Sequence, residues 1–288
     1  MAGLVSPDWL ETHLGDPRLV IIEVSRDQPG TAPWFRRHIP GSHYVWWKDF
    51  CWDESERQFP PSDVMAARLG GFGVGDDSTI VLVGDPIQFA TYPYWVLAMT
   101  GFEHLAVVLD GGRETWESQG RAFTDSPSAP PTPDLPSPRG PIADARVGRD
   151  QVLEGLGDPA RALVDVRSAE EYNGERVSPL TLEFDHGAER KGHIPGAVHL
   201  LYERLLDSEG TFLDPASLVQ EFVHAGVEPE KEIVTYCRLS HRASLAWFAL
   251  TRIADRPNVR VYDGSWTEWG SMVGMPIERL PEDPPRNR

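Results

Sequence analysis

Cysteine is scarce in this chain: 288 residues carry only two, Cys51 and Cys237. Two thiols cannot build a disulfide framework, and no paired Cys/His spacing of the kind zinc requires accompanies them. Neither disulfide staples nor a resident metal or other cofactor is therefore expected. Positive charge is also short, with 27 Lys and Arg against 44 Asp and Glu and a net charge of -17. That balance argues against nucleic acid and against an anionic membrane surface as partners. No apolar run approaches the ~20 residues of a membrane span. Met1 to Leu10 lacks the basic and apolar regions of a secretory signal. A reduced, cytoplasmic setting is the expectation. What the chain does have is 40% hydrophobic residues and ten tryptophans, ample for one large or two smaller buried cores.

The sequence is written twice. His38-Ile39-Pro40-Gly41-Ser42 matches His193-Ile194-Pro195-Gly196-Ala197, and Ile80 to Gly84 matches Ile233 to Cys237. Asp110-Gly111-Gly112 with Trp116 matches Asp263-Gly264-Ser265 with Trp269. Gly84 to Cys237 and Asp110 to Asp263 are both separated by 153 positions. That period is far too long for a solenoid repeat, so this is a domain duplication. Thr124 to Pro141 carries seven prolines and no apolar period, and reads as a semi-rigid linker. The expected organisation is a domain over 1–123, a linker over 124–143, a second domain over 144–278 and a loose tail over 279–288.

Within each copy, helix and strand signals alternate. Ser6-Pro7 opens a helix that Gly15 stops, and Val20 to Val24 reads as a buried strand. In the second copy Asp150 to Leu156 is expected as helix and Ala162 to Val166 as strand. Ser168 and Glu171 have the spacing of a capping box. Asp214-Pro215 opens another helix, closed by Gly226, and Val259 to Tyr262 is a last strand. Short apolar strands alternating with helices indicate an α/β fold, each half a mainly parallel sheet flanked by helices. In such sheets ligands bind beyond the carboxyl ends of the strands.

Cys237 occupies that position. Ile233 to Tyr236 reads as a strand, and Ala243, Leu245, Ala246, Phe248 and Leu250 as the apolar side of a helix beginning after Arg242. Between them lies Cys237-Arg238-Leu239-Ser240-His241-Arg242. A thiolate, not a thiol, is the nucleophile, and helix N-termini and nearby cations lower a cysteine pKa from its free value of ~8.5. Both are expected here, and unpaired amides at the helix start could also hold an anion. Ser240 is expected to cap the helix or to donate to sulfur. His241 either shapes the pocket mouth or is exposed, while Arg238 and Arg242 are candidate anion contacts. At the aligned position the first copy has Gly84, followed by Asp85-Pro86-Ile87-Gln88-Phe89, so nucleophile and basic cluster are both missing. Cys51, among aromatic and acidic neighbours, reads as a packed thiol.

These motifs resemble the tandem-domain rhodanese family of thiosulfate and 3-mercaptopyruvate sulfurtransferases. The shared features are His-Ile-Pro-Gly in each half, a catalytic cysteine in the second, and Asp263-Gly264-Ser265-Trp266 near the end. The resemblance runs from about Leu4 to Ile277. It implies a rhodanese fold in each half, an inactive first domain, and sulfur transfer through a Cys237 persulfide. The implied partners are a small anionic sulfur donor and a cyanide, thiol or protein-thiol acceptor. It also implies that Arg167, in Val164-Asp165-Val166-Arg167, binds the donor's anionic group, against the simpler reading of an ion pair with Glu171. The family's mercaptopyruvate branch has Gly-Ser-Gly after the cysteine and its thiosulfate branch Arg-Lys-Gly. Arg238 leans toward thiosulfate, while Ser240, His241 and Arg242 fit neither. Phosphatases and arsenate reductases related to this fold have one more residue between cysteine and arginine. The shorter loop here suits a sulfur atom better than a phosphoryl group. A persulfide carrier serving a protein thiol is the further alternative.

Overall fold

The computed structural model describes residues 3–53, 55–129, 131–177, 188–228 and 230–279. In the first half, strands and helices follow as β1 (Leu4–Val5), α1 (Pro7–His13), β2 (Leu19–Ser25), β3 (His43–Trp46), α2 (Trp47–Cys51), α3 (Ser62–Gly71), β4 (Thr79–Asp85), α4 (Gln88–Thr100), β5 (Ala106–Leu109) and α5 (Gly112–Ser118). The second half gives β6 (Arg146–Val147), α6 (Arg149–Glu154), β7 (Arg161–Asp165), α7 (Ala169–Asn173), β8 (Val198–His199), α8 (Pro215–His224), β9 (Glu232–Tyr236), α9 (His241–Phe248), β10 (Val259–Tyr262) and α10 (Ser265–Trp269). Each half forms a five-stranded sheet, ordered β1-β5-β4-β2-β3 and β6-β10-β9-β7-β8, with every pairing parallel. The two orders are the same order, so the duplication seen in the motifs is a duplication of topology. Among the described residues no helix is long and apolar enough to cross a membrane.

The local signals explain most elements. The Ser6 hydroxyl accepts the Trp9 amide at 3.1 Å, and Pro7 stands at the first helical position, where a missing N–H costs nothing. At α7, Ser168 and Glu171 form the reciprocal capping box. The repeated Ile-Pro-Gly element is a type II turn in both halves. Ser42 N–H donates to Ile39 at 3.0 Å and Ala197 N–H to Ile194 at 3.1 Å. Gly41 and Gly196 sit at φ 78° and 74°, which a side chain would resist. The preceding His38 and His193 stack on Trp34 and Tyr172 with ring centres 4.2 and 3.8 Å apart. Both histidines are structural parts of their turns. Cys51 is fully buried in α2, and neither thiol is in a disulfide.

By its packing the chain divides into two units. Residues 1–143 and 206–214 make one, and 144–205 and 215–288 the other. The proline-rich segment is laid along the first unit. Its Asp134, Arg139 and Ile142 amides donate to the carbonyls of Gly70, Gly101 and Ala98. The short Leu206–Asp214 excursion also belongs to the first unit, with the Phe212 amide on Asp110 and the Thr115 hydroxyl on the Glu209 carbonyl. The expected tail at 279–288 falls, beyond Arg279, outside the described residues.

Candidate active site

Strand β9 runs through the centre of the second sheet and delivers Cys237 at its carboxyl end. Tyr236 pairs in register with Asp165 of β7, and the Val166 amide donates to the Tyr236 carbonyl at 3.0 Å. Arg167, two residues past that pair, and Cys237, one past it, therefore leave adjacent strands side by side. The thiol is buried, with only 1% of Cys237 exposed.

The loop turns sharply at Ser240, whose φ of 69° is left-handed. Family patterns place glycine at this position, and the backbone gives the reason, since only glycine adopts such a φ without strain. Serine is held there by its hydroxyl, which donates to the Asp263 carbonyl at 2.6 Å. Ser240 thus occupies the N-cap position of α9, but its hydroxyl proton goes to Asp263 and not to a helix cap or to the sulfur, the two roles expected of it. The helix also begins earlier than expected. Residue His241 is its first position, so Arg242 lies in the first turn of α9 rather than before it. His241 is buried, not exposed at a pocket mouth.

The floor of the loop is α10. The Cys237 amide donates to the Ser265 hydroxyl at 3.2 Å, and that hydroxyl donates onward to the Tyr262 carbonyl at 2.9 Å. The Trp266 amide donates to the Cys237 carbonyl at 2.9 Å. The Arg238 carbonyl receives both the amide and the hydroxyl of Thr267, at 3.1 and 2.7 Å. The Asp263-Gly264-Ser265-Trp266 motif is thus the mechanical support of the cysteine loop. Arg190 braces the far end of α10 by donating to the carbonyls of Trp269, Gly270, Met272 and Met275.

Two of the expected cations are committed to buried carboxylates. Arg242 grips Glu171 through both terminal nitrogens, at 2.7 and 2.9 Å, and Glu171 is wholly inaccessible. Burial disfavours the Arg242 charge, but the bonds and charge of Glu171 outweigh it and push the guanidinium above its ordinary range. Cys237 and Asp165 act in the same direction. Burial likewise opposes the Glu171 carboxylate, and Arg242, with Arg167 behind it, holds it below its usual value. Arg167 is completely buried, and its partner is Asp165 at 2.6 Å rather than Glu171. Its Nη2 also donates to the Gly192 carbonyl at 2.8 Å, and the guanidinium lies 4.5 Å over the Trp266 ring. Arg167 Nη1 is buried with no hydrogen-bond partner among the described residues. The Arg238 side chain is half-buried beside the cysteine.

The sequence marked Glu171 as a cap and as a possible partner of Arg167, not of Arg242, and did not mark Asp165, Thr267 or Arg190 as contributors. Asp165 stood inside the quoted Val-Asp-x-Arg stretch. Nothing local signals Thr267 or Arg190, whose partners are 29 and about 80 residues away.

The first unit carries the same frame with different residues at these positions. Glu23 occupies the register position of Asp165 and pairs with Arg113 as a buried ion pair. At Gly84, a Cβ would lie 2.6 Å from the Pro86 carbonyl oxygen and 2.7 Å from the Ile87 oxygen and the Ala90 nitrogen. The loop has closed over the place a nucleophile would fill.

Comparison with known proteins gives the family. The model of the Rhodanese-like domain matches twice, over residues 6–119 and 149–272. The chain is 37% identical over 277 residues to a protein of Mycobacterium bovis named "Putative thiosulfate sulfurtransferase 1", covering 96% of this chain and 97% of that one. It is also 37% identical over 282 residues to the "Sulfur carrier protein TtuD" of Thermus thermophilus, covering 96% of each. Among solved structures, YnjE superposes with a TM-score of 0.81 at 22% identity, over 97% of this chain and 69% of that one. The anaerobic ergothioneine biosynthesis enzyme of Chlorobium limicola gives 0.79 at 22% identity, over 96% and 70%. At that identity the superpositions speak for the fold. With two matched domains, two like sheets and close relatives along nearly its whole length, the chain belongs to the rhodanese family of sulfurtransferases, as a tandem-domain member.

Proposed function

We propose that this protein transfers sulfane sulfur from thiosulfate to a thiophilic acceptor through a persulfide on Cys237. The observation that carries this reading is the setting of the thiol. It stands at the carboxyl end of the central strand β9, in a loop that turns directly into the N-terminus of α9. The thiolate would attack the outer sulfur of thiosulfate. A new S–S bond forms to Cys237 as the donor's S–S bond breaks, and sulfite leaves with the electron pair. Charge balances: thiolate plus the dianion gives a persulfide anion plus the sulfite dianion. In the second half, cyanide or a thiolate attacks the outer persulfide sulfur and the Cys237 thiolate is returned.

The negative charge on the outer sulfur is the charge to be stabilised. Amides of the loop and of the first turn of α9 are suited to it, apart from that of His241, which donates to the Leu239 carbonyl, because first-turn amides have no partner within the helix. Arg238 would face the donor from the loop and His241 would wall it. Arg242, paired with Glu171, would contribute by fixing the loop rather than by binding the donor directly. Arg167 has committed Nε and Nη2 to Asp165, and its Nη1 is the atom left to meet a sulfonate or carboxylate. Arg238 favours thiosulfate over 3-mercaptopyruvate, which remains the alternative donor. A second reading of the same first step, delivery to a protein thiol, is supported by the likeness to a sulfur carrier protein.

The test is thiosulfate:cyanide transfer in wild type, Cys237→Ser and Cys51→Ser, with 3-mercaptopyruvate and an aryl phosphate assayed alongside. Transfer is expected to vanish in Cys237→Ser and to persist in Cys51→Ser. Activity retained by Cys237→Ser sinks the mechanism. Phosphate hydrolysis without sulfur transfer sinks the reaction class.

A further inference from the structure

Three hydroxyls hold the cysteine loop: Ser240 on the Asp263 carbonyl, Ser265 under the Cys237 amide, and Thr267 on the Arg238 carbonyl. Their counterparts 153 positions earlier are Ile87, Gly112 and Glu114, none of which has a hydroxyl. In the first unit a Cβ on Gly112 would lie 2.6 Å from the Gly84 carbonyl oxygen, so a side chain has no room there. The hydroxyls are present in the half that has the nucleophile and missing from the half that lost it, although both halves share one topology. Fold maintenance alone does not account for that difference.

Peptide geometry says what the hydroxyls accomplish. In a trans peptide the C=O and the following N–H point in opposite directions. Trp266 captures the Cys237 carbonyl and Thr267 captures the Arg238 carbonyl twice, so both carbonyls point at α10. The Arg238 and Leu239 amides must then face away from α10. Without such capture, a peptide between two non-helical residues can rotate and present its carbonyl instead. A carbonyl facing an anionic sulfur repels it.

We propose that Thr267 is a positioning residue for sulfur transfer: by fixing the Arg238 carbonyl it aims the Leu239 amide as a donor to the anionic sulfur on Cys237. Thr267 touches neither donor nor acceptor. The proposal rests on the persulfide reading given above, and its test separates the two. Thr267→Val keeps the shape and the backbone amide while removing the hydroxyl bond, and Thr267→Ser keeps the bond. Two readouts are taken: steady-state transfer from thiosulfate, and the pH dependence of Cys237 alkylation by iodoacetamide in a Cys51→Ser background with no sulfur donor present.

Thr267→Val is expected to lower kcat about tenfold with donor KM within about twofold, a smaller loss than deleting a whole oxyanion-type donor. Its alkylation curve is expected to move to higher pH, because the thiolate loses a fixed dipole. Thr267→Ser should restore both to within about twofold. The proposal is overturned if Thr267→Val keeps the wild-type kcat, or if its alkylation curve coincides with wild type. It is also overturned if Thr267→Ser is as impaired as Thr267→Val. If the wild type alkylates as expected but transfers no sulfur, the persulfide reading fails, while the alkylation shift still reports on positioning.

Discussion

The Glu171–Arg242 pair offers the most demanding test of how the site is held. Glu171 is wholly buried, and its carboxylate receives two charge-assisted bonds from Arg242 while also closing the capping box of α7 on the Ser168 amide. Glu171→Gln removes the negative charge and leaves a guanidinium facing an amide inside the protein. Removing one partner of a buried pair costs about 3–5 kcal/mol, because the remaining charge is uncompensated. Urea unfolding at pH 7, followed by circular dichroism and tryptophan fluorescence, should show a midpoint lowered by about 1–2 M for a slope near 2–3 kcal/mol/M. The sign of the pH dependence is fixed by the same contacts. The folded-state pKa of Glu171 is held below the ordinary glutamate value of 4.5. Its stabilisation is therefore fully present above pH ~4.5 and is lost as pH falls through the lower folded value. The gap between variant and wild type should narrow on acidification. Replacing both residues by apolar ones, Glu171→Leu with Arg242→Met, should recover much of the stability. It should not recover sulfur transfer, since the loop loses the anchor that fixes the first turn of α9. A Glu171→Gln variant within about 1 kcal/mol of wild type at pH 7, or a deficit unchanged at pH 3.5, would refute this account.

Two further outcomes follow from the same geometry. Gly84→Cys, which restores a thiol at the aligned position, should create no second persulfide site and should destabilise the protein by about 1–3 kcal/mol. The closed loop has backbone atoms 2.6 and 2.7 Å from the new Cβ, and a labelled persulfide at residue 84 by mass spectrometry would contradict that. Arg167→Lys keeps a charge but loses the fork that grips Asp165, so it should raise the donor KM more than it lowers kcat. An unchanged KM for both thiosulfate and 3-mercaptopyruvate removes Arg167 from the donor site.

Much of the architecture was legible because its signals are local. The apolar run Val259 to Tyr262 coincides with β10, and the Ser168–Glu171 capping box needs only residues three apart. The paired Ile-Pro-Gly turns and the 153-residue offset revealed the duplication without any contact information. The proline-rich segment was harder. Its composition says extended, but whether an extended chain is a linker or a strap depends on the carbonyls of Gly70, Ala98 and Gly101, which lie far away in sequence.

Fold class, duplication and a thiol at a strand's carboxyl end are all legible along the chain, since periodicity, turns and spacing are properties of neighbouring residues. Folding sets what surrounds that thiol. It paired Arg242 with Glu171 and Arg167 with Asp165, where charge alone suggested open cations. It also brought Thr267 under the Arg238 carbonyl, 29 residues away. A cation in a sequence has no stated partner. Its charge becomes available or spent only when folding brings a carboxylate to it.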